Sequence, residues 1–295
     1  MKLLFLFTFS LPLQAWAAAC CGGGLTAPSI ILGEDSAQMS VSYSNQAVVS
    51  DVDAESLWHH RQDPETTETY TLNVAHIFWD RWQAGLGLPI VKRSLGDESS
   101  SGLGDVAGTL GYEYLPEWEY SSWRPKGIGF VQLTAPTGRS NMDSDQTFQL
   151  DVRGRGFWTL GVGTLLTKII SRWDLFTSLD VHRSFSHSYS DDQFTGTLIP
   201  GYGGDLGVGA GYNVGPYRFG GSITWTYEDP IDMEGTINSQ GSAQRYATTA
   251  LSLSYLLPEE WSVTGSYADQ TWFGSPTNAS LGRGLLITAQ KRWLR

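Results

Sequence analysis

Residues 217–228 read YRFGGSITWTYE, a run in which large apolar side chains alternate with small or polar ones. In an extended strand Tyr217, Phe219, Ile223, Trp225 and Tyr227 lie on one face, and glycine, serine, threonine and charged residues lie on the other. Such a strand separates an apolar environment from an aqueous one. The run therefore predicts a strand that crosses a membrane with its aromatic face in lipid.

Alternating segments of this kind recur from residue 36 to residue 295, and the connections between them alternate in length. The long, acidic connections are residues 50–66, 94–102, 136–151, 187–198, 229–243 and 273–282, and the short turns are residues 80–82, 115–126, 168–172, 213–216 and 258–260. Long connections on one rim and short turns on the other are typical of outer-membrane barrels. We therefore predict an all-β fold, a transmembrane antiparallel up-and-down β-barrel of 12 strands over residues 36–295. The phase of the fifth and sixth strands is ambiguous.

The start of the chain has the parts of a secretory signal. Lys2 is followed by the apolar run Leu3–Leu13 and by small residues before residue 20. We expect a cleaved signal peptide over residues 1–19, a flexible leader over residues 20–35, and delivery to the outer membrane of a Gram-negative bacterium. Cleavage after Ala19 makes Cys20 a candidate for lipidation, and the alternative is a leader whose Cys20 and Cys21 oxidise in the periplasm.

The chain is acidic, with a net charge of −11, and half of its 30 acidic residues fall in the long connections. A chain of this charge is a poor partner for nucleic acid. The acidic rim is either a hydrated outer face or a surface that attracts the divalent cations bridging lipopolysaccharide.

The strand phase also predicts which charged side chains face the lumen. These candidates are Asp105, Glu113, Asp174, Asp180, His182, Asp205, Arg218 and Glu228, with Gln290 and Arg292 on the last strand. Acids outnumber bases in this set, which favours neutral or cationic solutes in an open pore. Inward glycines at positions 203, 207, 209, 211 and 220 are expected to widen the lumen, whereas a narrow pore or one plugged by the leader is the alternative.

Aromatic residues flank the short turns and predict the membrane interface on the periplasmic side. The proposed girdle consists of Trp82, Trp118, Trp173, Tyr217, Trp261 and Trp293. The last strand, with its near-terminal Trp293, resembles the signal that the barrel-assembly machinery reads, although Leu294 and Arg295 follow the aromatic residue. Expected partners are therefore this machinery, outer-membrane lipid and lipopolysaccharide, and a small-molecule solute.

Two motifs carry a resemblance to a known family. Gly102-Leu103-Gly104-Asp105 resembles the Gly-Leu-Gly-Asp strand start of the "MetA-pathway of phenol degradation" outer-membrane family, and residues 133–138, LTAPTG, resemble its Pro-Thr-Gly strand end. The resemblance implies a barrel that acts as a transporter or channel for small, often hydrophobic or aromatic, compounds. Asp105 itself has two readings, a structural role at the strand start and contact with the solute.

The leading functional hypothesis is a monomeric channel or transporter for passive uptake or efflux of small solutes, with no enzyme activity, cofactor or metal. The alternative is a structural or surface-interaction barrel without transport. A remote alternative is a lipid hydrolase, because His182 and Ser184 have the spacing of a His-x-Ser motif. The adjacent pair His59 and His60 is expected to belong to a polar surface, because neighbouring side chains diverge in an extended chain.

Overall fold

The computed structural model describes residues 28–33, 35–117, 119–146, 148–190, 195–236 and 238–295. The strands are β1 (Asp35–Val52), β2 (Trp58–Phe78), β3 (Trp82–Leu95), β4 (Glu98–Leu103), β5 (Val106–Leu115), β6 (Lys126–Ala135), β7 (Thr159–Ile170), β8 (Trp173–Ser184), β9 (His187–Ser190), β10 (Thr195–Pro200), β11 (Tyr202–Val214), β12 (Tyr217–Glu228), β13 (Ile231–Gly235), β14 (Gln244–Leu256), β15 (Trp261–Asp269) and β16 (Ala279–Leu294), with a short 3₁₀ turn at Asn141–Asp143. No helix among these residues is long and apolar enough to cross a membrane.

The main sheet closes on itself. Its order is β2-β1-β16-β15-β14-β12-β11-β8-β7-β6-β5-β3-β4, and β2 also pairs with β3. Because β4 and β5 pair with successive parts of β3, they occupy one position, and the described residues form a barrel of twelve antiparallel positions. Both ends of the barrel chain lie at one rim, where Asp35 is opposite Leu294. The predicted fold class is confirmed.

Two of the predicted long connections are β-hairpins instead. Most of residues 50–66, the expected loop, belong to β1 and β2. The two strands shift register beyond the pair Val48 and Glu65 and then stay paired as far as Val52 and Trp58. β3 and β4 are joined by residues 96–97 alone, where Gly96 takes the positive φ of 58° that a tight turn requires. The acidic side chains in these stretches suggested loops, but Arg61 bridges Asp51 and Glu65 along the extended hairpin.

At the long-connection rim a second sheet continues the wall formed by β8, β11 and β12, and the loop of residues 136–158 packs against it. In that sheet β10 lies between β13 and β9. Phe157 of the loop is buried against Leu198 and packs with Met142, Tyr189 and Met233. Within the loop, the hydrogen bond from the Ser144 hydroxyl is the largest effect that holds the pKa of Asp151 below its ordinary value, and Arg139 adds to it. These contacts hold the loop against the second sheet at the long-connection rim.

The two faces of the wall differ as the alternation predicts. Phe219, Leu251 and Ile287 are 54, 53 and 54% exposed on the outer face, although all three are large and apolar. On the inner face of the same strands Arg218 and Ser254 are buried. An apolar outer surface with its backbone hydrogen bonds closed into a ring is suited to lipid.

Replacing an outward side chain near mid-height of the wall should be costly. We expect Leu251→Arg to lower the free energy of unfolding from a bilayer by about 2–4 kcal/mol, because a guanidinium near the bilayer midplane is poorly solvated. Tyr255→Arg, on the same strand near the short-turn rim, should cost about 0–1 kcal/mol. Equilibrium unfolding from phospholipid vesicles measures both values, and equal costs would contradict the assignment of this face to lipid.

Candidate channel lumen

Three predicted inward residues meet near the long-connection rim. His182 on β8 has its Nε2 atom 3.1 Å from Glu228 Oε1 on β12 and its Nδ1 atom 3.7 Å from Asp180 Oδ2. Arg155 of the 136–158 loop reaches the same Glu228 carboxylate at 2.7 Å. The structure therefore brings carboxylates and cations together as one cluster inside the mouth of the barrel.

Asp105 ties the covering loop to the wall. One of its carboxylate oxygens accepts a hydrogen bond from the Gly138 backbone N–H at 2.9 Å, and the other accepts one from the Arg155 backbone N–H at 2.7 Å. Arg153 of the same loop donates to Ser100 on β4. This geometry matches the structural reading of Asp105, because its carboxylate positions the loop from which Arg155 enters the lumen.

Beside this cluster lies a cavity of about 100 Å³. Its inward-facing lining includes Ser44, Gln46, Asp205, Thr224, Thr226, Tyr246, Thr248, Ser266 and Gln270. The Thr226 hydroxyl donates to Asp205, and Gln270 lies within hydrogen-bond distance of Gln46 and Thr248. Since one water needs roughly 10–15 Å³ of such space, the cavity has room for a small polar molecule or a short water chain.

The remaining predicted lumen charges lie toward the short-turn rim and are paired. Arg218 on β12 forms a bidentate contact with Asp174 on β8, at 2.9 Å between Nε and Oδ2, and both side chains are buried. Glu113 is paired with Lys126 at 3.3 Å. At the end of the barrel Arg292 contacts Glu260, and Gln290 donates to Gln38 on β1.

Residues 28–33, here called the N-terminal segment, lie inside the lumen next to these charges. The Ile31 backbone N–H donates to Gln83 Oε1 at 2.6 Å, and Gln83 Nε2 donates back to the Ile31 carbonyl at 3.3 Å. The Ser29 hydroxyl donates to Asn73 at 2.9 Å, and Lys126 donates to the Gly33 carbonyl at 3.2 Å. This part of the predicted leader is therefore bound to the wall from β2 to β6.

An apolar contact completes this placement. Ile30 is 6% exposed and packs against Ile128 and Phe130 of β6 and Leu165 of β7. These side chains point inward, while Val131 and Leu133 of β6 are exposed on the outer face. The lumen therefore has one apolar side, under the N-terminal segment, and one side rich in hydroxyl groups.

The expectation that inward glycines widen the lumen is wrong. A methyl group added at Gly209 would meet the Phe176 ring, and one added at Gly211 or Gly220 would meet Arg218. These glycines make room for larger neighbours that lie across them. The space inside the barrel is consequently narrower than the sequence of β11 suggests.

The girdle residues that the structure describes are exposed at the short-turn rim. Trp82 stacks on Tyr112 at 4.8 Å between ring centroids, Trp173 lies 4.9 Å from Tyr212, and Tyr217 lies 5.0 Å from Tyr255. Trp261 and Trp293 are also exposed there. Trp118, the predicted signal peptide of residues 1–19 and the lipidation candidate Cys20 lie outside the described residues.

The histidines do not form the arrangements that their spacing suggests. His182 contacts Asp180 and Glu228, whereas the Ser184 hydroxyl lies 2.8 Å from Thr159. His59 contacts Asp53, and His60 contacts Ser50. In the described part of the chain no group of three or more metal-ligating side chains occurs.

The residues that narrow the lumen were not predictable from the sequence. Arg155 lies in a loop, so strand alternation says nothing of it, and Gln83 looks like any inward polar residue of β3. The apolar pair Ile128 and Phe130 left a signal, because it makes both faces of β6 apolar and the phase of that strand ambiguous.

The buried pair near the short-turn rim should be sensitive to the loss of one partner. Arg218→Met leaves the Asp174 carboxylate buried without its cation, and we expect about 3–5 kcal/mol of destabilisation. Lys92→Met removes an exposed pair with Glu68 and should cost at most about 1 kcal/mol. Equilibrium unfolding of the refolded barrels compares the two, and a loss of under 1 kcal/mol in Arg218→Met would refute the pairing.

No protein-family model and no curated protein matches this sequence. Among solved structures, the chain is similar to the COG4313 outer membrane channel from Pseudomonas putida F1, with 15% identity, a TM-score of 0.73, and coverage of 89% of this chain and 97% of that chain. It also matches the NanC porin, with 8% identity, a TM-score of 0.48, and coverage of 87% of this chain and 100% of that chain. The Pseudomonas putida toluene transporter TodX matches with 10% identity, a TM-score of 0.44, and coverage of 88% and 89% of the two chains. The likeness to the COG4313 channel shows a shared barrel fold.

Proposed function

We propose that this protein is a passive channel for small solutes in the outer membrane of a Gram-negative bacterium, inserted by the barrel-assembly machinery as a monomer. The observation that carries the proposal is a closed barrel with an apolar outer face. Inside it lies a cavity whose lining includes hydroxyl and amide groups, together with a short segment of the protein's own chain. A barrel that served only as a scaffold would not need a cavity lined by hydroxyl and amide groups.

The lumen offers two chemical environments to a solute. The cavity side carries hydroxyls, amides and the Asp205 carboxylate, which suit neutral or cationic groups. The other side carries Ile128, Phe130 and Leu165, which would face the lumen if the N-terminal segment moved away. This combination supports passage of a small solute with both polar and apolar parts, and it agrees with the hydrophobic or aromatic compounds that the MetA-pathway resemblance implies.

The second candidate is a structural or surface-interaction barrel. The 136–158 loop over one rim and the N-terminal segment at the other favour it, because together they narrow the path through the lumen. The hydrolase alternative receives no support, since the His182 and Ser184 side chains contact different partners. We therefore propose a protein without enzyme activity.

Conductance separates the channel from the scaffold. Gln83→Leu removes both hydrogen bonds to Ile31 and keeps the side-chain volume, so the N-terminal segment should leave the lumen more often. With about 1 kcal/mol for each hydrogen bond, we expect the open probability in planar bilayers to rise at least about tenfold.

The matched control is Gln132→Leu, an inward glutamine of β6 toward the long-connection rim, which should leave the open probability unchanged. Liposome swelling with small neutral and cationic solutes gives an independent readout. If wild type and both variants neither conduct nor swell, the barrel is a scaffold and the proposal fails.

A further inference from the structure

Two arginines on the outer face lie close to the long-connection rim. The guanidinium of Arg183, on β8, lies over the Tyr202 ring at 5.1 Å from its centroid and donates to the Tyr202 hydroxyl at 3.2 Å. Arg245, on β14, donates from Nε to Thr277 at 2.9 Å. Both arginines are exposed, and both follow the outward phase of their strands. Long cationic side chains near the end of a membrane-spanning segment extend their charged groups toward the lipid headgroups.

An apolar groove lies between the two arginines. Its volume is about 510 Å³, and its outward lining includes Leu179, Val181, Leu206 and Trp225, with Arg245 and Tyr202 at its edges. Gly204 is also part of the lining, where its missing side chain leaves the Asp180 backbone carbonyl uncrowded. Gly274 and Ser275, from the connection before β16, form the far side. The groove therefore has an apolar floor, with Arg245 at one edge. At the other edge is Tyr202, whose ring lies under the Arg183 guanidinium.

The register gives the spacing of the two cations. Val181, Gly204, Tyr227 and Arg245 lie in one row across β8, β11, β12 and β14. Arg183 lies two residues beyond Val181 toward the rim. Neighbouring strands are about 4.8 Å apart and residues rise about 3.3 Å along a strand, so the Arg183 and Arg245 backbones are separated by about 16 Å. Two anionic groups of one large lipid headgroup fit this separation better than a single phosphate does.

We propose that this groove binds the lipid A part of lipopolysaccharide, with its phosphates on Arg183 and Arg245 and an acyl chain along Leu206 and Trp225. Lipid A carries both features, anionic phosphates and several acyl chains, and it forms the leaflet that faces the long-connection rim. Guanidinium groups match phosphate oxygens in bidentate geometry. The nearby carboxylate of Asp229 accepts hydrogen bonds from the Tyr202 backbone N–H and the Tyr227 hydroxyl.

Purified protein and purified lipopolysaccharide test the site directly. We expect the double variant Arg183→Gln/Arg245→Gln to bind deep-rough lipopolysaccharide at least about tenfold more weakly than wild type, measured by titration in detergent without divalent cations. Wild type should bind chemically dephosphorylated lipid A about as weakly as the double variant binds the intact lipid. The matched control is Arg283→Gln, an exposed outward arginine at the same rim, opposite Asp269 on β15.

Binding by the double variant at wild-type strength would overturn the proposal, and so would an equal loss in Arg283→Gln. Equal binding of intact and dephosphorylated lipid A would also overturn it, because the arginines would then have no role. The β-sheet circular dichroism of each variant shows whether the barrel is intact. The groove is outside the wall, so this result does not depend on whether the lumen conducts.

Discussion

Pairing of β1 with β16 is the constraint on which the other features depend. In hydrocarbon each backbone N–H and C=O must find a partner within the protein, and a sheet satisfies this only when it has no free edge. The register runs from Asp35 opposite Leu294 to Val52 opposite Ala279. Closure at this seam fixes where the chain enters the barrel, because the residue before β1 must lie at the short-turn rim.

That entry point explains how a segment of the chain comes to lie in the lumen. Ser36 donates to the carbonyls of Trp293 and Leu294, so β1 is held at the rim from its second residue. The Ile30 carbonyl then accepts from Gln38, an inward residue of β1 itself. The segment turns back along the inside of the wall, where hydrogen bonds and the apolar side chains of β6 and β7 hold it. The segment that narrows the lumen therefore directly precedes β1, the strand that closes the sheet.

Charged side chains inside the barrel form ion pairs. Asp174 with Arg218, Glu113 with Lys126, and Glu228 with Arg155 each join different strands or a strand and a loop. Burying one partner alone would be expensive, so each pair also fixes the relative position of the elements that carry it. Asp205 is the carboxylate in the lining of the cavity, where it accepts a hydrogen bond from the Thr226 hydroxyl.

Strand number, strand phase and the position of the short turns were predictable, because period-two alternation follows directly from which face meets lipid. The hairpin at residues 50–66 was not, since its acidic side chains are held by Arg61, a contact that periodicity does not reveal. Strand alternation was enough to predict which charged residues face inward. Which of them pair across strands could be seen only in the closed barrel. The ambiguous phase of β6 had a physical cause, because Ile128 packs on a segment from outside the alternating region.

In the proposed channel, solutes pass only when the N-terminal segment leaves the lumen. Cysteines at Ser29 and Asn73, whose side chains are 2.9 Å apart, can lock it in place in a chain with Cys20 and Cys21 changed to serine. The account predicts that single-channel conductance is low with this disulfide formed and rises when it is reduced. Equal conductance in the two states, with the disulfide verified by mass spectrometry, would contradict it.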